Sequence, residues 1–345
     1  MSEKNKKIKQ ISDFGEFGLI NHLTKDIKIK NKSLIKGIGD DAAVFECGDI
    51  CNLITTDLLI EGIHFDFIYT PLKHLGYKAV VVNLSDIYAM NATPKYITIS
   101  LAISSKFSLK AIEELYSGIY LACEKYGVEL IGGDTSSSLS GLYINITAIG
   151  QAKKEEIVYR NGACKNDLIC VSGDLGAAYL GLMVLEREKK VFIADKSIQP
   201  ELDKFTYIIE RFLKPEPRRD IYNYLKKNNI LPSSMIDISD GLSSELLHLC
   251  SQSGLGCKIF EDKLPIHQQS ISTAEMFNID ATIPAMNGGE DYELLFTVPL
   301  EKKELIENIP DISMIGFMTE NKKEKFLITR NGLEVPIIAQ GWKHI

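Results

Sequence analysis

The stretch Gly37-Ile38-Gly39-Asp40-Asp41-Ala42-Ala43-Val44-Phe45 places two adjacent acids between small residues, directly before an apolar run. A second apolar run, Leu53 to Thr56, leads into Asp57. Carboxylates in small-residue turns at strand ends add little to a core, but they suit hard cations such as Mg²⁺. The stretch therefore predicts strands that deliver acids to a cation site.

Acidic clusters recur along the chain, at Asn83-Leu84-Ser85-Asp86, Gly132-Gly133-Asp134-Thr135, Asp237-Ile238-Ser239-Asp240-Gly241 and Gly288-Gly289-Glu290-Asp291. Each alone has an ordinary explanation, because Asp caps helices and Gly-Asp forms turns. As a set they fit that explanation less well. We expect Asp57, Asp134 and Asp237 to end apolar strands, and Asp86 lies within an apolar helical pattern, where an unpaired acid is unfavourable.

Convergence of these acids would require cations. Two carboxylates about 4 Å apart repel by roughly 4 kcal/mol at an effective dielectric of about 20. Several such pairs would outweigh a typical folding stability of about 5–15 kcal/mol. Bound metals would relieve the repulsion and would share an anion, for which phosphate is the natural candidate.

Composition limits the class of protein. The chain has 345 residues, enough for two domains, and its net charge of −7 weighs against a nucleic-acid surface. Its seven cysteines form no CxxC pair and are typical of reduced thiols in a cytoplasmic protein. No apolar run reaches the roughly 18 residues of a membrane helix, and the Lys-rich start lacks the apolar segment of a secretory signal. We expect a cytoplasmic protein that binds neither nucleic acid nor membrane.

Strands and helices alternate along the chain, which predicts two α/β layers. Helices are predicted at 72–90 and 108–126, and a short strand at 128–131 is expected to end just before Gly132. The charged stretch 151–166 is predicted to divide the chain into domains at 1–150 and 151–345. The usual nucleotide signatures are missing, since no GxxxxGK[ST] occurs and Gly37-Ile38-Gly39 lacks the third glycine of a dinucleotide loop. The remaining possibility is a phosphoryl-transfer enzyme that uses Mg²⁺ bound by Asp residues instead of a Lys-bearing loop.

These clusters, in this order, resemble the thiamine-monophosphate kinase family, whose superfamily also contains aminoimidazole ribonucleotide synthase. The match runs from Gly15-Glu16-Phe17 to Gly341-Trp342. The resemblance implies a two-domain α/β (layered α+β) fold whose N-terminal sheet forms a homodimer interface. It implies that ATP phosphorylates thiamine monophosphate to thiamine diphosphate with several Mg²⁺ ions.

The resemblance also implies roles for individual residues. Asp57, Asp86 and Asp134 would be catalytic. The Mg²⁺ ligands would be Asp41, Thr55, Thr56, Asp57, Asp86, Asp134, Asp237 and Asp240. ATP would contact Gly133, Asp134, Arg160 and Ser239. Thiamine phosphate would contact His64, Glu290 and Trp342.

Two alternatives stay open at the level of the sequence. One is a purine-biosynthesis-type synthase of the same superfamily, which would release free phosphate. The other is a nucleotide-binding regulator that performs no chemistry. Two further members of the superfamily fit poorly: the selenium enzyme would need a cysteine near the N-terminus, and the hydrogenase maturation protein would need a C-terminal cysteine. The sequence has its first cysteine at Cys47 and ends Gly341-Trp342-Lys343-His344-Ile345.

Overall fold

The computed structural model describes residue 11 and residues 14–339. Two sheets organise these residues. The first has six strands in the order β1-β2-β3-β6-β4-β5. They are β1 (Leu34–Lys36), β2 (Ala43–Cys47), β3 (Ile50–Ile60), β4 (Thr93–Ser104), β5 (Glu129–Ser138) and β6 (Leu142–Ala152). Neighbouring strands are antiparallel except β4 and β5, which are parallel.

The second sheet has seven strands in the order β13-β12-β9-β11-β7-β10-β8. They are β7 (Leu168–Ser172), β8 (Ser234–Asp237), β9 (Gly256–Phe260), β10 (Leu294–Val298), β11 (Ile312–Thr319), β12 (Lys325–Ile328) and β13 (Glu334–Pro336). The change from one sheet to the other falls between Ala152 and Leu168. That this segment separates two domains stays a prediction.

The described residues also form ten α-helices. They are α1 (Gly15–Thr24), α2 (Leu72–Ala89), α3 (Leu109–Tyr126), α4 (Ala177–Ala194), α5 (Thr206–Leu213), α6 (Arg219–Lys227), α7 (Leu242–Ser253), α8 (Gln268–Met276), α9 (Thr282–Asn287) and α10 (Lys303–Glu307). No helix among the described residues has the length and apolar character needed to cross a membrane.

Helix α2 is the central element, because it is buried along most of its length and contacts β3, β4 and β6 of the first sheet as well as β8 of the second. Glycines allow α3 to approach it closely. A Cβ atom on Gly76 would overlap the carbonyl oxygen of Leu115, and one on Gly118 would overlap that of Lys73. The two helices therefore pack in direct backbone contact.

The predicted ends of two strands are wrong. The strand expected at 128–131 continues as β5 to Ser138, so that Asp134 lies inside it, and the strand with Asp57 continues to Ile60. In β5 the small and polar residues after Ile131 carry no apolar alternation, yet their backbone pairs with β4 as far as Ser104. Hydrophobic patterning marks buried faces, whereas backbone pairing also extends strands that are exposed.

Candidate functional site

Three acids from distant segments meet between the two sheets. Asp41 precedes β2, Asp86 lies on α2 and Asp237 is the last residue of β8. Each offers a carboxylate oxygen, and these oxygens lie within 4.8 Å of one another. Asp41 and Asp237 are buried, and Asp86 is half-buried.

Burial and mutual repulsion make the ionised form of this cluster unfavourable. Burial raises the pKa of Asp41 to about 7 and the pKa values of Asp57 and Asp237 to about 6. It also raises the pKa of Asp86 well above its usual range, and the neighbouring charges of Asp57, Asp237 and Asp41 act in the same direction. Without a cation, the surroundings of the cluster therefore do not stabilise full ionisation of its carboxylates near neutral pH.

Hydrogen bonds orient the three carboxylates. Thr55 Oγ1 donates to Asp86 at 2.5 Å, and Ser85 Oγ donates to Asp237 at 2.6 Å. Arg160 donates to Asp41 from Nε at 3.0 Å and from its terminal nitrogen at 2.5 Å. These contacts fix one side of each carboxylate.

Unpaired oxygens indicate that the cluster fits a metal ion. Oδ2 of Asp41 is buried and has no hydrogen-bond partner among the described residues, and the same holds for Oε2 of Glu245 on α7. Glu245 lines the same cavity as the three acids. Burial raises the pKa of Glu245 well above its usual range, and the neighbouring charges of Asp240 and Asp237 act in the same direction. Buried carboxylate oxygens without protein donors are the ligands that Mg²⁺ prefers.

Most of the predicted site residues line one cavity of about 800 Å³. These residues are Asp41, Thr55, Thr56, Asp57, His64, Asp86, Arg160, Asp237, Ser239, Asp240 and Glu290. The hydroxyl of Thr56 nevertheless faces β6, where it donates to the carbonyl oxygen of Ile146 and accepts from Asn145 and Thr147. Metal ligation through that hydroxyl would require it to leave these partners.

Gly133 and Asp134 are absent from the described lining of this cavity. In the sheet register, Asp134 pairs with Ser100, which pairs with Asn145, which pairs with Leu58. Residues aligned in this way share a face, whereas Asp57 lies on the opposite face. Three strand spacings amount to roughly 14 Å. Within one chain, Asp134 is therefore separated from the acidic cluster, and its predicted role stays a prediction. Trp342 lies outside the described residues.

The two predicted substrate residues within the described chain have defined partners. His64 accepts a hydrogen bond at Nδ1 from the amide of Ile60 at 3.0 Å. Glu290 has a backbone φ of 57°, and its Oε2 lies 3.0 Å from Nζ of Lys78. Both residues line the cavity.

Sequence reasoning missed several residues of the cavity. Glu245 accepts from the amides of Ser239 at 3.2 Å and Asp240 at 2.8 Å. An acid in the first turn of the helix after Gly241 was the signal that could have identified it. The aromatic part of the lining, Phe65, Tyr69, Tyr179, Phe212 and Tyr292, had no such signal, because aromatic residues in apolar runs are typical of any core.

Comparison with known proteins agrees with this geometry. Residues 39–152 match the family model "AIR synthase related protein, N-terminal domain". The thiamine-monophosphate kinase of Bacillus subtilis is 32% identical over 95% of this chain and 99% of its own. That of Aquifex aeolicus is 33% identical over 97% of this chain and 99% of its own.

The chain belongs to the thiamine-monophosphate kinase family. The solved structure "AaThiL complexed with AMPPCP and TMP" superposes with a TM-score of 0.84 at 32% identity, covering 99% of this chain and 100% of the other. The family and the layered α/β fold expected from the sequence are thereby confirmed. In this member of the thiamine-monophosphate kinase family, the assignments of individual residues to Mg²⁺, ATP and thiamine phosphate stay predictions.

Proposed function

We propose that this chain transfers the γ-phosphoryl group of ATP to thiamine monophosphate and forms ADP and thiamine diphosphate. The observation that carries the proposal is the convergence of Asp41, Asp86 and Asp237 in a cavity that His64 and Glu290 also line. The relatives are named for this activity. AMPPCP, which one of them binds, is an ATP analogue.

The reaction makes modest demands on acid–base chemistry. The attacking oxygen belongs to a phosphate that is already ionised near neutral pH, so no strong general base is required. Catalysis depends mainly on bringing two polyanions together in line and on neutralising charge. A chain with a net charge of −7 would achieve this with cations held by its own carboxylates.

The candidate holders of Mg²⁺ are Asp41, Asp57, Asp86, Asp237 and Asp240, together with Glu245, which the sequence did not reveal. Bound Mg²⁺ would supply the positive charge that offsets both the carboxylates and the phosphates. Arg160, Ser239, Gly133 and Asp134 are proposed to contact ATP. Arg160 pairs with Asp41 in the described structure, so it would bridge that carboxylate and a phosphate.

The rest of the cavity suits the organic part of thiamine monophosphate. Its thiazolium is a cation and its pyrimidine is a flat heterocycle. Glu290 supplies negative charge, and Phe65, Tyr69 and Phe212 supply aromatic surface in the same lining. His64 and Trp342 are proposed to contact this part of the substrate as well.

A homodimer is part of the proposal. β5 is an edge strand whose central residues are exposed, and Leu58, on the same face as Asp134, is 48% exposed. An exposed sheet face with an unpaired edge is suited to pairing with a second copy. Such pairing would carry Gly133 and Asp134 towards a partner's cavity. A cytoplasmic location, expected from the reduced cysteines, is proposed with it.

The test is incubation of the purified chain with ATP, Mg²⁺ and thiamine monophosphate, followed by separation of the thiamine esters. We expect equal amounts of ADP and thiamine diphosphate. ADP with free phosphate and unchanged thiamine monophosphate would favour a synthase of the superfamily. Bound ATP with no ADP formed would favour a regulator.

A further inference from the structure

One face of α2 connects the acidic cluster to Glu290. Lys78, Val82 and Asp86 are spaced four residues apart, which places them along one side of the helix. Val82 and Asp86 line the cavity, and Lys78 is not among the described lining residues. At 1.5 Å per residue, Lys78 and Asp86 are separated by about 12 Å along the axis.

Lys78 is a buried cation whose partners are Glu290 and Phe212. Its side chain is 3% exposed. Its Nζ lies 3.0 Å from Oε2 of Glu290, donates to the carbonyl oxygen of Phe212 at 3.1 Å, and lies 4.2 Å from the centre of the Phe212 ring. A lysine is rarely buried unless paired, so the contact with Glu290 is what allows this burial.

Glu290 belongs to a segment that needs such support. Glu290 and Tyr292 both adopt left-handed backbone conformations, with φ of 57° and 52°. These backbone conformations are unfavourable for residues other than glycine and persist only where the surroundings enforce them. The amide of Glu290 donates to the carbonyl oxygen of Ser239 at 2.7 Å, and that of Tyr292 donates to that of Ile238 at 2.9 Å. The backbone is therefore held by the segment after Asp237, and the Glu290 side chain is held by α2.

We propose that Lys78 is a positioning residue for the substrate cavity. Its ion pair fixes the Glu290 carboxylate to α2, the helix that carries Asp86. It thereby sets the distance between Glu290, which would contact the thiazolium, and the acidic cluster, where phosphoryl transfer would take place. The assignment of the thiazolium rests on the proposed function. One carboxylate oxygen of Glu290 is engaged by Lys78, and the side chain stays 28% exposed and accessible from the cavity.

The same contacts would also serve a purely structural role, as an ion pair between α2 and the second sheet. The two roles differ in what they affect. A positioning role changes the Michaelis constant for thiamine monophosphate and leaves that for ATP unchanged. A structural role lowers the melting temperature and changes both constants together.

The experiment compares Lys78→Met, Lys78→Arg, Glu290→Gln and the double variant Lys78→Met/Glu290→Gln. The matched control is Lys125→Met on α3. Lys125 also pairs with a carboxylate, Glu216, at 2.7 Å and contacts aromatic rings, but neither residue lines the cavity in the described chain. Melting temperature and both Michaelis constants are measured for each variant.

We expect Lys78→Met to raise the Michaelis constant for thiamine monophosphate about tenfold and to leave that for ATP within about twofold. Lys78→Arg should restore part of the loss. The double variant should be no worse than the more affected single variant, because both changes break one interaction. Lys125→Met should change neither constant. Equal increases in both constants, or additive effects in the double variant, would overturn the inference.

A crystal structure of Lys78→Met separates failure of this inference from failure of the proposed function. We expect the Glu290 carboxylate to leave its position beside α2 while the backbone of 288–292 stays in place. An unmoved carboxylate would refute the positioning role even if wild-type protein forms thiamine diphosphate. A displaced carboxylate would support it even if the wild-type protein forms none.

Discussion

Thr55 donates a hydrogen bond of 2.5 Å to Asp86 and thereby joins the middle of β3 to α2 at the acidic cluster. The contact couples the strand that carries Asp57 to the helix that carries Asp86. It also compensates only part of the charge of Asp86, whose pKa is raised by burial and by three neighbouring acids. Asp86 is therefore the residue of the cluster whose loss of charge should change activity and stability most.

Replacing Asp86 with Asn should abolish turnover without unfolding the protein. Asn keeps the shape but removes the charge that would hold Mg²⁺, a loss of several kcal/mol that lowers kcat at least about a hundredfold. At pH 8 without divalent cations, the melting temperature should stay equal or rise, because a like charge is removed from the cluster. Steady-state kinetics and thermal unfolding check both, with the exposed Asp262→Asn as control. Full activity at saturating Mg²⁺ would exclude the ligand role.

The stability of the metal-free protein should fall as pH rises. Asp41, Asp57 and Asp237 have pKa values of about 7, 6 and 6 when folded, above the value of about 3.9 for an unfolded Asp. Between about pH 4 and pH 7 the folded state therefore binds more protons than the unfolded state. The contribution of these acids to stability is greatest below about pH 4 and is lost as pH rises through 6 to 7. We expect a melting temperature at least about 4 °C lower at pH 8 than at pH 5.5.

Magnesium should reverse this loss and should stabilise more at pH 8 than at pH 5.5, because its ligands must be deprotonated. Thermal unfolding in chelator and in Mg²⁺ at both pH values measures this difference in stabilisation. Asp291, whose pKa burial raises to about 7, contributes in the same direction. Thermal unfolding of the Asp237→Asn variant therefore shows how much of the pH dependence comes from the cluster. Equal stabilisation by Mg²⁺ at both pH values would contradict the prediction.

Asp134 should act in the cavity of a partner subunit. If each site combines Asp86 of one chain with Asp134 of the other, a mixed dimer of Asp86→Asn and Asp134→Asn chains has one intact site. Random mixing of the two inactive variants should then recover about a quarter of wild-type activity. Mixing Asp86→Asn with Asp237→Asn is the control and should recover none, since both residues belong to the same cluster. No recovery in the first mixture, as in the control, would show that Asp134 does not act in the partner's cavity.

Substitution of Trp342 by Ala should raise the Michaelis constant for thiamine monophosphate far more than that for ATP. An aromatic face near the thiazolium would stabilise its positive charge, whereas ATP binding would be unaffected. Kinetics with each substrate varied in turn measures the difference, with Lys343→Ala as a control in the same segment. Similar increases in both constants would assign Trp342 to packing.

Local patterns in the amino-acid sequence were sufficient for the buried helix α2 and for most of the acids that lie together in the cavity. The apolar run around Asp86 predicted a buried helix with an acid inside it, and α2 is that helix. The recurring acidic clusters predicted that acids from distant segments converge, and Asp41, Asp86 and Asp237 lie together. These inferences succeed because periodicity and burial cost are properties of short segments.

Position across the sheets could not be inferred in this way. Asp134 has the same local setting as Asp57, but β5 lies three strands away from β3 and turns the side chain to the opposite face. Lys78 resembles an exposed helical lysine in the sequence, and its contacts with Glu290 and Phe212 exist only because segments remote along the chain lie against α2. Distances between remote segments depend on strand order, register and the crossing of α2 with α3, and none of these is encoded by the spacing of residues within one segment.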